Sequence, residues 1–126
     1  MAVAYVDTSC VVAIAFHEKA AASLARKLDT YENLFASNLL EAELRSVFSR
    51  ERADADPGIL AGLSWIVPDR PLTDEIAAVL QAGYVRGADC WHLATALYAS
   101  GDPAGMHFLT LDSRQRVVAA TLGFKT

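Results

Sequence analysis

Ala2-Val3-Ala4-Tyr5-Val6-Asp7-Thr8-Ser9 is an apolar, β-prone run that stops on an acid and turns at once into a helix start. A short apolar run without polar alternation suits a central parallel strand buried on both faces. Reading outward from it, Thr8 and Ser9 open a helical stretch to about Phe16, and a second helix spans about Glu18 to Leu28. Asn33-Leu34-Phe35-Ala36 reads as the next strand, and Ser37-Asn38 begins a long helix to about Ala53. Pro57 and Gly58 punctuate the chain before a short helix, and Trp65-Ile66-Val67, closed by Pro68, is a third strand. Thr73 caps a helix to about Tyr84, Gly87 breaks it, and Ala88 to Ser100 is helical. After a loop rich in Gly, Asp and Pro, His107 to Leu111 is a fourth strand, Asp112 ends it, and Ser113 to Leu122 is the last helix; Phe124 adds a brief edge strand. Strands alternating with helices predict an α/β fold, a three-layer α/β/α sandwich around a central, mainly parallel sheet.

With 126 residues, the chain matches one domain of the usual roughly 100–200, so residues 1–126 are expected to form a single domain. Hydrophobic residues make up 53% and charged residues 21%, which places the chain among core-forming globular proteins and outside the disordered regime. Eleven Lys and Arg against fifteen Asp and Glu leave a net charge of −4. General attraction to phosphate backbones comes from clustered cations, so nucleic acid would have to be held by a local basic strip or through metal. Two cysteines, Cys10 and Cys90, are too few and too far apart for a disulfide framework or zinc ribbon, and buried thiols in a reducing compartment are expected. The start of the chain lacks the basic opening of a signal peptide, and its most apolar early run, Val11 to Phe16, falls far short of the about 20 residues that span a bilayer. A cytoplasmic protein with no membrane partner is the resulting expectation.

Ligands of open α/β sheets bind outside the carboxyl ends of the strands, which directs attention to Asp7 and Asp112. Each also stands just before a helix, where Asp is a favoured N-cap worth about 1 kcal/mol over Ala. Asp89 opens a helix and shares a face with Leu93 and Ala96, so it points inward. Glu43 lies within the apolar stripe of Leu40, Leu44 and Val47, and a Glu is almost never buried there unpaired. Glu41, by contrast, has local work: a capping box with Asn38 and an ion pair with Arg45. Four converging carboxylates would raise one another's pKa, and a hard divalent cation such as Mg²⁺ resolves the conflict. No His or Cys cluster suggests zinc. One or two such ions can activate water for in-line attack on a phosphodiester.

The motifs are Val6-Asp7-Thr8-Ser9, then Ser37 followed six residues later by Glu43, then Gly87-Ala88-Asp89-Cys90-Trp91-His92, and last Phe108-Leu109-Thr110-Leu111-Asp112-Ser113-Arg114. In this order they resemble the PIN-domain nucleases, in particular the VapC toxins of bacterial and archaeal toxin–antitoxin pairs. The resemblance covers nearly the whole chain. It implies a PIN-like fold and a metal site at Asp7 and Asp89 completed by Glu43 and Asp112. It further implies Mg²⁺ or Mn²⁺, an RNA substrate, a homodimer and a small cognate antitoxin protein. Ser9 and Thr110 fall where the family places hydroxyls near the site. A non-toxin RNA-processing nuclease and a catalytically silent binding module of the same fold are the alternatives. A phospho-receiver domain is a poor match, because Asp7 has no acidic neighbour and Lys125 is penultimate.

Of the remaining polar residues, Arg45 and Arg114 are the candidates for RNA phosphate contact, Arg114 ahead of Arg116 because it is nearer the proposed active edge. His92, one turn from Asp89, reads as structural or interfacial. Trp65, Trp91 and the tyrosines read as core or dimer surface in preference to base-stacking platforms.

Overall fold

The computed structural model describes residues 2–54 and 58–126; the turn expected at Pro57 lies outside them. Four strands, β1 (Val3–Val6), β2 (Asn33–Ser37), β3 (Leu63–Ile66) and β4 (Met106–Leu109), form one parallel sheet in the order β3-β2-β1-β4. The helices are α1 (Thr8–Ala15), α2 (Ala21–Leu28), α3 (Leu39–Glu51), α4 (Gly58–Ala61), α5 (Thr73–Ala82), α6 (Gly87–Ser100) and α7 (Ser113–Thr121).

Alternate residues of β1 enter different layers, as the period of a strand requires. Tyr5 packs with Phe108, Leu72, Val79, Leu93 and Val118 on the α5–α7 side. Ala4 and Val6 pack with Val11, Leu40, Leu44 and Phe48 on the α1–α3 side. Ala4, Tyr5 and Val6 are all fully buried, so the first strand has no solvated face and the α/β/α sandwich expected from its composition is the fold observed. The chain leaves β1 toward β2 and β3 and later returns to place β4 on the other side of β1. Strand order therefore reverses between β1 and β4, and Asp7 N–H extends that ladder by donating to Leu109 O at 2.9 Å.

Several boundaries differ from the sequence expectation for local reasons. Asn38 is already helical and caps nothing with its side chain; Ser37 does so instead, its Oγ accepting from Leu39 N–H at 3.0 Å. The capping box expected between Asn38 and Glu41 is therefore absent, while the Glu41–Arg45 pair is present at 2.8 Å. Thr73 is the first helical residue of α5, not its cap. Leu72, 1% exposed, occupies that position without a side-chain cap and anchors the entry of the chain through core burial. β3 begins two residues earlier than read, at Leu63, and stops before Val67, which is 66% exposed. The edge strand at Phe124 shrinks to a single bridge between His107 and Lys125.

Both cysteines are free and buried. Burial, reinforced by the nearby Asp7 carboxylate, pushes the Cys10 thiol up to about 12, and burial likewise raises Cys90. Thiolate is the reactive form, so the folded protein should leave both thiols unmodified by an aromatic disulfide reagent at mildly alkaline pH, while guanidinium should release both. Rapid labelling of Cys10 without denaturant would contradict this packing.

Candidate active site

Asp7 ends β1 in extended conformation and is 5% exposed. Its Oδ2 does the work of an N-cap, accepting from Ser9 N–H at 3.3 Å and Ser9 Oγ at 2.8 Å. Thr110 Oγ1, just beyond β4, stands 3.1 Å from the same oxygen. The other oxygen, Oδ1, is left facing His92 Nε2 at 3.7 Å. Capping and a second role are thus divided between the two oxygens of one carboxylate.

Glu43, on the inward side of α3, meets that same histidine. Its Oε1 lies 2.7 Å from His92 Nε2 and accepts from Thr8 Oγ1 at 2.8 Å. His92 is 1% exposed, and its other nitrogen, Nδ1, is 2.7 Å from the Tyr5 hydroxyl. That hydroxyl accepts from Ser37 N–H at 3.2 Å, which leaves its proton for Nδ1. The network assigns the ring hydrogen to Nε2, directed at Glu43. Trp91 Nε1 donates to Ser37 Oγ at 3.0 Å, closing the chain on its far side.

Asp89 occupies the first turn of α6 and Asp112 caps α7, accepting from Gln115 N–H at 2.8 Å. The two line a common cleft of about 780 Å³ with Tyr84, Arg86 and Arg114. Gln115, fully buried, spans the floor: its Oε1 lies 2.7 Å from Thr110 Oγ1 and its Nε2 donates to Asp89 O at 3.3 Å. Of the two arginines favoured from sequence, Arg114 lies at this cleft, its Nη1 donating to Tyr84 O at 3.4 Å. Arg45 is instead held by Glu41 on the exposed side of α3. Arg116, beside the site, donates to Thr110 O at 2.7 Å.

The carboxylates feel one another unequally. Burial raises the pKa of Asp89 most, and the charges of Asp7, then Asp112 and, most weakly, Glu43 raise it further. Burial also works against ionised Glu43, but hydrogen bonds from His92 and Thr8 outweigh it and hold the carboxyl below its ordinary range. The upward shift expected of the acids is therefore seen at Asp89, whose side chain has no donor among the described residues, and reversed at Glu43, which is held by His92 and Thr8.

A PIN domain family model matches residues 4–121, which takes in every motif described above. The chain belongs to the PIN domain family. No curated protein and no solved structure gives a significant match. PIN domains are in general nucleases, hydrolases acting on nucleic acid, and in general employ a divalent metal.

Whether this chain's residues suit such an ion is a matter of donor chemistry. Among the described residues no three Asp, Glu, His or Cys side chains are already gathered around one point. The donors are nonetheless carboxylate oxygens, the kind hard divalent cations take. The side chain of Asp89 has no hydrogen-bond donor among the described residues, and it faces three like charges. An unrelieved cluster of this kind fits a cation.

His92, noted in the sequence one turn from Asp89 and read as structural, is buried with both ring nitrogens hydrogen-bonded. Sequence reading missed two participants. Gln115 gave no signal, because Asp-x-x-Gln at a helix start reads as a local cap. Arg86, in the loop before α6, has no pattern that marks it.

The raised pKa of Asp89 has a stability consequence of definite sign. A carboxyl whose folded pKa lies above its unfolded value destabilises the fold when ionised, so the penalty is present above the folded pKa and vanishes as pH falls below the unfolded value. Asp89→Asn should therefore raise the melting temperature at neutral pH in EDTA, and the gain should disappear on acidification. A variant less stable than the parent at neutral pH would show that Asp89 is held by interactions other than those described.

Proposed function

We propose that this chain, acting as a single nuclease domain, is a divalent-metal-dependent endoribonuclease and the toxin of a VapBC-type toxin–antitoxin pair. The observation that carries the nuclease reading is the cleft in which Asp89 and Asp112 are flanked by Arg86 and Arg114, next to the Asp7–His92–Glu43 group. Opposite charges lie side by side there: acids suited to a cation and guanidinium groups suited to phosphate oxygens.

Asp7, Asp89, Glu43 and Asp112 are the residues that would hold Mg²⁺ or Mn²⁺. When bound, such an ion supplies Lewis-acid polarisation of a phosphodiester and neutralises charge that develops in the displacement. The chain's own residues prepare for this. Ser9 and Thr110 fix the Asp7 carboxylate through Oδ2, leaving Oδ1 available. Thr8 and His92 fix Glu43 in its ionised form, which is the form a cation needs. Arg86 and Arg114 would draw the RNA backbone to the acids, and no side-chain nucleophile is required.

The toxin assignment, the homodimer, the antitoxin partner and the cytoplasmic setting rest on the resemblance of the four motifs to VapC proteins. No helix among the described residues is long and apolar enough to cross a membrane.

Purified protein should cleave RNA with Mg²⁺ or Mn²⁺, and both EDTA and Asp89→Asn should abolish cleavage. Glu41→Gln should cut normally, because Glu41 is spent on an exposed pair with Arg45. Undiminished cleavage by Asp89→Asn would sink the site assignment. Growth arrest on expression, relieved by the same substitution, tests the toxin role separately.

A further inference from the structure

The cleft that holds Asp89 and Asp112 shares a wall with a second hollow. Tyr84 and Val85 line both. The second hollow, about 570 Å³, lies between α5 and the start of α6 and is bounded by Ile76, Leu80, Cys90 and Trp91. The two spaces differ in chemistry: charged side chains border the first and apolar ones the second. Tyr84 stands on the ridge between them, 63% exposed, with no hydrogen bond to its hydroxyl among the described residues. Its position is fixed from behind, because Arg114 Nη1 donates to its backbone oxygen. The guanidinium that faces the cleft is thereby tied to the residue that presents the ring.

A nucleic acid strand has the same duality, with an anionic backbone and flat apolar bases one nucleotide apart. We propose that Tyr84 is a stacking platform for an unpaired RNA base. The hollow behind it would receive that base while the neighbouring phosphate lies between Arg86 and Arg114. Aromatic side chains stack on bases whatever their sequence, because every base has a π-face. A base already paired and stacked in a duplex offers no such face, so this subsite selects single-stranded or looped RNA at the nucleotide next to the cut. The inference rests on the nuclease reading for the identity of the strand, but its binding step does not require cleavage.

The test is binding of a short fluorescein-labelled oligoadenylate, followed by anisotropy, in the Asp89→Asn background so that the probe survives. Tyr84→Ala should weaken binding roughly tenfold, within the range found when a stacking aromatic is truncated, and Tyr84→Trp should restore it. An abasic version of the probe should bind the Tyr84 protein and the Tyr84→Ala protein equally weakly, since the base and the ring are then lost together. Equal affinity of the two proteins for oligoadenylate would overturn the proposal. So would normal RNA binding by Tyr84→Ala combined with a change in oligomeric mass, which would assign the apolar hollow to a protein partner. Parent protein that binds with this Tyr84 dependence yet cuts no RNA would uphold the subsite and remove the nuclease reading; cleavage unaffected by Tyr84→Ala, with unchanged binding, would do the reverse.

Discussion

The imidazole of His92 is the point at which three layers of this fold are fastened. A buried ring with two nitrogens must find a partner for each, because an unsatisfied buried polar group costs on the order of 1–3 kcal/mol. Here Tyr5 of the central strand serves Nδ1 and Glu43 of α3 serves Nε2. His92 itself belongs to α6, which packs on the opposite side of the sheet from α3. The bond between them therefore crosses above the carboxyl end of β1, where a parallel sheet leaves its crevice. Thr8 at the start of α1 joins the same pair. Replacing Glu43 by an apolar residue of similar size would leave Nε2 to Thr8 Oγ1 at 3.2 Å and Asp7 Oδ1 at 3.7 Å, so the members of this polar chain act together.

That fastening also bears on how acids from four separate segments are brought together. Like charges in partial burial oppose folding unless each finds donors. The fold supplies donors to three of the four: Ser9 and Thr110 to Asp7, Thr8 and His92 to Glu43, and the backbone N–H of Gln115 to Asp112. Asp89 is left without one and bears the strain as a raised pKa. Instability is concentrated on the one carboxylate with nothing but a cation to relieve it. Residues kept at a cost to stability are characteristic of functional positions.

How much of this was legible from the sequence follows from which forces are local. The first strand was readable because three consecutive apolar residues must each face a core, and Asp7 and Asp112 were readable because a strand end next to a helix start is a one-dimensional pattern. Glu43 stood out as an acid within an apolar stripe. The Asn38 cap failed because the choice between Ser37 and Asn38 depends on backbone dihedrals at the end of β2, which tertiary packing sets. Gln115 and Arg86 were invisible for a different reason. Their partners lie 26 residues away, as Asp89 O does from Gln115, or in a cleft formed only when α6 and α7 come together. Arg45 shows the opposite error: helical spacing correctly gave its ion pair with Glu41, and that pair is what removes it from the list of free cations.

The acidic balance of the chain then takes on a specific meaning. Affinity for a polyanion normally grows with the number of phosphates neutralised, and so does its sensitivity to salt. A protein of net charge −4 with two arginines at its cleft can neutralise few phosphates. On the proposed reading, most of its discrimination must come from contacts that do not scale with charge: a cation among the carboxylates and an aromatic surface beside them. Such contacts are short-ranged and need an exposed base and a reachable phosphate at once. An enzyme built this way gains little from long, regular duplexes, whose backbone charge it cannot exploit and whose bases it cannot reach.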